Sequence, residues 1–168
     1  SSPTQISGTN WRNGAMSDAH VLATKTDNTL WVWGGNQQGA MGNNKANLAI
    51  SSPTQISGSW SFAAAGNNNR SYAINTDGEL WIWGKNEWGT LGLNQAPGTL
   101  AALSSPTQVG TDTTWSNVFA GGLRTLATKT DNTLWAWGFN LSGGLGLNQA
   151  PAQLESLSSP TQIPGTSW

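Results

Sequence analysis

The groups that could do chemistry are few: 7 lysines and arginines, 8 aspartates and glutamates, one histidine and no cysteine in 168 residues. A lone histidine, His20, cannot build a His-rich metal site, and no Ser-His-Asp set repeats along the chain. The absence of cysteine removes disulfides, thiol nucleophiles and thiolate metal ligands together. Three carboxylates, Asp27, Asp77 and Asp131, stand in Thr-Asp-Asn or Thr-Asp-Gly phrases and are expected to hold two-residue hairpin turns rather than substrates. Asp18, Glu79, Glu87, Asp112 and Glu155 lie in separate segments, with no spacing that marks a metal cage or an acid/base pair. Glycine-rich stretches such as "LSGGLGLN" lack the Lys-Ser/Thr ending of a phosphate loop. The expectation is a protein with no catalytic residues, no cofactor and no metal, acting by binding or assembly rather than as an enzyme.

Charge is sparse: 9% of residues are charged and the net charge is −1, against roughly 25% charged in ordinary soluble domains. Neither sign forms a run, so the chain cannot neutralise many phosphates, and a nucleic-acid partner is not expected. No basic amphipathic stretch suits an anionic bilayer, and no apolar run reaches the ~18 residues of a membrane span, so membrane insertion is not expected either.

The elements that position these groups come from a repeat. "SSPTQ" begins at Ser1, Ser51, Ser104 and Ser158, and "TD[NG]xLWxWG" begins at Thr26, Thr76 and Thr130. A Trp follows each SSPTQ, at Trp11, Trp60, Trp115 and Trp168. These markers keep one period and divide the chain into repeats at 1–50, 51–103 and 104–157, with 158–168 as the first strand of a further repeat. Within a unit the reading is of short strands, with Pro near the start of the first, where an edge position tolerates a missing N–H. In "LWVWG" Leu30, Trp31, Val32 and Trp33 are all apolar, although alternate residues of a strand face opposite ways, so the strand is covered on both faces. Four-stranded sheets stacked face to face around an axis supply that environment, which is the arrangement of a β-propeller blade. On this reading Trp31, Trp33, Trp81, Trp83, Trp135 and Trp137 are frame, as are the glycines that follow them, Gly34, Gly84 and Gly138.

The block "RTLATKTDNTLWAWGFNLSGGLGLN" followed by "SSPTQI" resembles the repeat of the regulator-of-chromosome-condensation family. That pattern runs Gly-x-x-His-[Ser/Thr]-x-Ala, an Asp-Gly turn, Trp-Gly and Gly-x-Leu-Gly. The glycine triplets Gly34, Gly39 and Gly42, Gly84, Gly89 and Gly92, and Gly138, Gly143 and Gly146 match it in phase. Its His falls on His20, with Arg70 and Arg124 in the other units. The resemblance covers nearly the whole chain and implies an all-β propeller of four-stranded antiparallel blades, in a bacterial or phage-like variant of the family. Such propellers usually have seven blades. Three repeats and the start of a fourth do not close such a ring, which predicts a segment of a larger propeller, or blades pooled from several chains.

If the shared residues are frame, residues that differ between units are free to serve a partner. The loop after each Trp-Gly reads "GNQQG", "KNEWG" and "FNLSG", so Trp88 corresponds to Gln38 and Ser142. Trp88, Lys85, Glu87, Phe139 and Leu141 are the candidate partner-binding residues. The connectors at 93–103 and 147–157 carry Leu100, Leu103, Leu154 and Leu157 at a spacing that suits one turn of a small helix on the blade edge.

The low charge, the Asn/Thr/Ser richness and the near-identical units predict a structural or binding module of an extracellular surface or virion, such as an adhesin, fibre or filament component. Its partners would be a protein or glycan surface, a second copy, or further repeats. The alternative is a propeller that binds or inhibits another protein through its face loops. A guanine-nucleotide exchange factor, the activity of the family's namesake, would need a wedge loop and basic segments that these residues do not supply.

Overall fold

The computed structural model describes residues 2–45, 47–149 and 154–165. Among these, regular structure is β-strand with three single-turn 3₁₀ segments after the Trp-Gly phrases. The strands are β1 (Trp11–Met16), β2 (His20–Lys25), β3 (Leu30–Gly34), β4 (Ile50–Ile56), β5 (Trp60–Gly66), β6 (Arg70–Asn75), β7 (Leu80–Lys85), β8 (Ala102–Gln108), β9 (Trp115–Ala120), β10 (Arg124–Lys129), β11 (Leu134–Phe139) and β12 (Ser156–Gln162). They form three four-stranded antiparallel sheets in the simple orders β1-β2-β3-β4, β5-β6-β7-β8 and β9-β10-β11-β12. Each sheet is one blade of a β-propeller.

The blades are out of phase with the repeat as the sequence displays it. SSPTQ closes the preceding blade: Thr54 pairs with Val32, Thr107 with Ile82 and Thr161 with Ala136. The strand at 156–162 is therefore the fourth strand of the third blade, a correction to its assignment as the opening of a further repeat. Trp168 lies outside the described residues. The edge position suits the phrase: Pro53, Pro106 and Pro160, each lacking an N–H, lie in the outermost strands β4, β8 and β12. The first copy of the phrase, at residues 2–6, forms no strand.

The connector leucines are strand and turn rather than helix. Leu103 pairs opposite Gly84 in β8, and Leu157 opposite Gly138 in β12. Leu100, Leu103 and Leu157 all pack against the core, so the helical spacing is an accident of a turn running into a strand.

Both faces of each Trp-x-Trp strand are used, in opposite senses. Leu30 and Val32 of the first blade pack with Met41 and Ile56 against Trp60, Ala63, Ala73 and Trp83 of the second. Leu80, Ile82, Leu91 and Val109 of the second blade pack in the same way against Trp115, Val118, Ala127 and Trp137 of the third. Aliphatic face therefore meets tryptophan face at each junction. Trp83 and Trp137 are completely buried, while Trp33, whose face no other described sheet covers, is half-buried.

Each Asp turn is longer than the two-residue hairpin expected. The Asn28 N–H donates to Lys25 O and the Lys25 N–H to Thr29 O, and Asn28 has φ 64°. This is a three-residue connection, a type I turn followed by a left-handed residue that is Asn28, Gly78 or Asn132. Asp27 and Asp131 do hold their turns, each accepting from the backbone N–H and the hydroxyl of Thr29 or Thr133. Asp77 does not: in the second blade the Asn75 side chain accepts from the N–H groups of Asp77 and Glu79 instead.

Candidate functional site

The loop after each Trp-Gly is built by its glycines. Gly34, Gly84 and Gly138 have φ of 106°, 94° and 99°, and a Cβ at any of them would overlap the carbonyl oxygen of Ala19, Asn69 or Leu123. A buried Asn follows (Asn36, Asn86 or Asn140), whose side-chain oxygen accepts from the N–H of Met41, Leu91 or Leu145. This bond folds the loop back as a 3₁₀ turn that projects toward the next blade. The turn at Gln37–Gly39 lies against β7 and β8, and that at Glu87–Gly89 lies against β11 and β12.

Inside these turns Gln38, Trp88 and Ser142 adopt left-handed backbone with φ of 57°, 59° and 66°. Such a conformation is unusual for a residue as bulky as tryptophan. It carries Trp88 across the junction onto Phe139, with ring centroids 4.6 Å apart and planes tilted by 42°. The two candidate aromatics therefore form one pair, each half-buried. Beside them Lys85 Nζ donates to Glu87 Oε2 at 2.9 Å, an ion pair on partly exposed side chains. Leu141 is 54% exposed; it lies in the turn of the third blade, which no further described sheet covers. Its backbone oxygen accepts from Arg124, whose Nε also donates to Phe139 O. The structure thus brings Trp88 and Phe139 together, sets Lys85 and Glu87 next to them, and leaves Leu141 on the third blade's open side.

The tryptophans of the repeat do structural work. In each blade three of them meet, with Trp11, Trp60 and Trp115 each touching both members of the Trp-x-Trp pair, edge to face except for the tilted Trp60–Trp83 contact. Trp83 Nε1 donates to Ala40 O of the first blade at 2.8 Å, and Trp137 Nε1 to Thr90 O of the second at 2.9 Å. Trp31 and Trp135 donate to the hydroxyls of Thr29 and Thr133, and Trp81 to the carboxylate of Glu79.

The titratable groups serve the same junctions. His20 Nε2 lies 2.8 Å from Ser71 Oγ of the second blade, while Ser71 Oγ donates to Ala40 O. The hydroxyl proton being so used, Nε2 carries the ring proton, and Nδ1 accepts from Ser17 Oγ at 2.8 Å. Burial lowers the His20 pKa to about 4, so the ring is neutral at pH 7. Arg70, at the equivalent place, donates to Gly121 O and Gly122 O of the third blade. Asp112 is lowered to about 2 by the hydrogen bond from Lys129, helped by that from Thr114. Sequence reasoning overlooked Asp112 as a partner for Lys129, because the two are 17 residues apart and meet only through the β9–β10 pairing.

These blades are those of a known class of propeller. Residues 77–128 match the sequence model of the Regulator of chromosome condensation (RCC1) repeat. The structure resembles that of Prp20p from Saccharomyces cerevisiae, described with its binding properties to Gsp1p and histones, at a TM-score of 0.78 and 21% identity over 94% of this chain and 39% of that one. It resembles yeast RCC1 (Prp20) bound to Kap60 at 0.80 and 20% identity, over 96% of this chain and 39% of that one. For human WBSCR16 the values are 0.77 and 20%, over 92% and 38%. The chain spans about two fifths of the length of these solved chains. No curated protein sequence matches it. These findings correct the expectation of a surface or virion adhesin, fibre or filament component. The relatives in fold that have described partners bind proteins such as Gsp1p, histones and Kap60, whereas the surface reading rests on low charge, Asn/Thr/Ser richness and near-identical units, none of which identifies a partner.

Proposed function

We propose that this array is a protein-binding module whose partner engages the turns at the junction of the second and third blades. The observation that carries the reading is the Trp88–Phe139 pair, with the Lys85–Glu87 ion pair at its side. Blade packing does not demand the pair: the corresponding positions at the first junction are Gln38 and Lys85. A half-buried aromatic pair flanked by opposite charges has the character of a binding anchor, apolar at its centre and polar at its edge. Protein binding by Prp20p, a propeller of the same repeat, supports the same reading. Propellers of this repeat are chiefly binding or exchange-factor modules, and the proposal assigns binding without assigning an exchange activity.

The test introduces a photo-crosslinking residue at Glu87 and identifies the protein captured. Binding of that protein is then measured for Trp88→Ala, Phe139→Ala and the control Gln38→Ala. Trp88→Ala should leave the chain folded, with about 1 kcal/mol lost from the aromatic pair, and should weaken binding roughly tenfold or more. Gln38→Ala should change neither. Unaltered binding in Trp88→Ala would sink the proposal. Global unfolding, as expected of Trp81→Ala, would make Trp88 part of the frame.

A further inference from the structure

The three tryptophan clusters are alike except for what lies over them. In the first blade Lys25 Nζ sits 4.7 Å from the Trp11 ring centroid and 4.3 Å from that of Trp31. In the third, Lys129 Nζ sits 4.7 Å from Trp115 and 3.8 Å from Trp135. The chain thus places an ammonium between two indole rings twice. The second blade holds the same ring pair in the same geometry: Trp60 and Trp81 lie 6.1 Å apart at 85°, against 6.2 Å at 77° and 5.9 Å at 72° in its neighbours. There the lysine position is Asn75. Its side-chain oxygen is held by the turn N–H groups of Asp77 and Glu79, and its nitrogen donates to Glu79 Oε2 at 2.6 Å.

A second substitution accompanies the first. Glu79 stands where the other turns have Thr29 and Thr133, and its Oε2 accepts the Trp81 indole N–H at 3.3 Å. Losing Lys removes +1 and gaining Glu adds −1, so the second cluster is two charges more negative than the first and, because Asp112 pairs with Lys129 in the third, one more negative than the third. Trp60 is 4% exposed and Trp81 half-buried, and both stand at the wall of a groove. A groove of about 540 Å³ runs between the first two blades, lined by Trp60, Trp81, Asn75, Gln55, Ile56 and Pro106 among others. Its counterpart between the second and third blades is about 420 Å³ and is lined by Asp112 and Trp115, but it reaches neither Lys129 nor Trp135.

We propose that the groove at Trp60 and Trp81 is a binding site for an alkylammonium group, the chemistry of a lysine side chain. The indole faces attract the cation, Glu79, which is hydrogen-bonded to the lining residues Asn75 and Trp81, supplies the counter-charge, and Ile56 and Pro106 provide apolar wall for the methylenes. The site is separate from the junction at Trp88 and stands whether or not that surface binds a protein.

The experiment follows the indole N–H resonances of the full chain in ¹H–¹⁵N spectra. The probes are n-butylammonium, N-acetyl-lysine methylamide, its trimethylated form and the neutral N-acetyl-norleucine methylamide. The cations should shift the Trp60 and Trp81 signals saturably, with a Kd on the order of millimolar. Those of Trp31 and Trp135, whose rings already carry a lysine, should stay in place as internal controls. A response to n-butylammonium equal to that of the lysine amide identifies the ammonium alone as the determinant, and a tighter lysine amide adds the peptide groups; both support the site. The Asn75→Lys, Glu79→Thr double variant restores the residues of the neighbouring blades, and should stay folded and lose at least tenfold in affinity. Equal shifts with the norleucine amide, or undiminished cation binding in the double variant, overturn the proposal.

Discussion

At the scale of single residues, the interior shows where side-chain chemistry is spent. His20 is buried between two serine hydroxyls, neutral, and joins the first blade to the second. Its pKa is about 4 when folded and 6.5 when unfolded, so between these values the unfolded chain binds the extra proton. Stability contributed by neutral His20 is therefore full above pH 6.5 and is lost as pH falls toward about 4. The loss should be on the order of 3 kcal/mol at most, read as a fall in the denaturation midpoint between pH 7 and pH 4. His20→Gln should flatten that slope; an unchanged slope would place the titration elsewhere. Asp112, lowered to about 2, acts at the acid extreme, where its pairing with Lys129 is lost as pH falls below 3.8 toward 2.

At the scale of elements, the turns explain how nearly identical phrases tolerate different residues. The left-handed position of the Asp turn is Asn28, Gly78 or Asn132, the residue types that occupy positive φ at least cost. Asn132 is exposed and its φ is 63°. Replacement by Gly should change stability by no more than a few tenths of a kcal/mol, whereas Asn132→Val should cost about 1–2 kcal/mol. Chemical denaturation of the two variants checks this, and equal stabilities would mean that the turn relaxes to another form. At the Glu87–Gly89 turn the same backbone carries Trp88 onto the neighbouring blade, so one geometry both packs the junction and presents an aromatic.

At the scale of the molecule, stability runs across blade junctions. The contribution of a tryptophan depends on whether a neighbour covers its face. Trp83 is completely buried and donates to Ala40 O, while its equivalent Trp33 is half-buried on the first blade's open face. Trp83→Ala should cost about 3–5 kcal/mol, and Trp33→Ala markedly less, as read from urea midpoints. Equal losses would show that the first blade's tryptophan face is covered in solution.

Much of this molecule is written in local pattern. A period of about fifty residues, strands apolar on both faces, and Gly and Asp-Gly punctuation determine four-stranded blades, because alternation and turn chemistry act over a few residues. Three features arose only from packing. The SSPTQ strand joins the blade before it, pairing beside that blade's Trp-Gly strand at the sheet edge, where its proline needs no N–H partner. Trp88 meets Phe139 because the turn of one blade reaches over the next, a contact between residues 51 apart in sequence. The groove-lining cluster at Trp60 and Trp81 depends on Asn75 and Glu79 facing one another in a turn, and on the groove that two adjacent sheets leave between them. Sequence periodicity establishes which faces are apolar; the stacking of the blades decides which of those faces remain open to a partner.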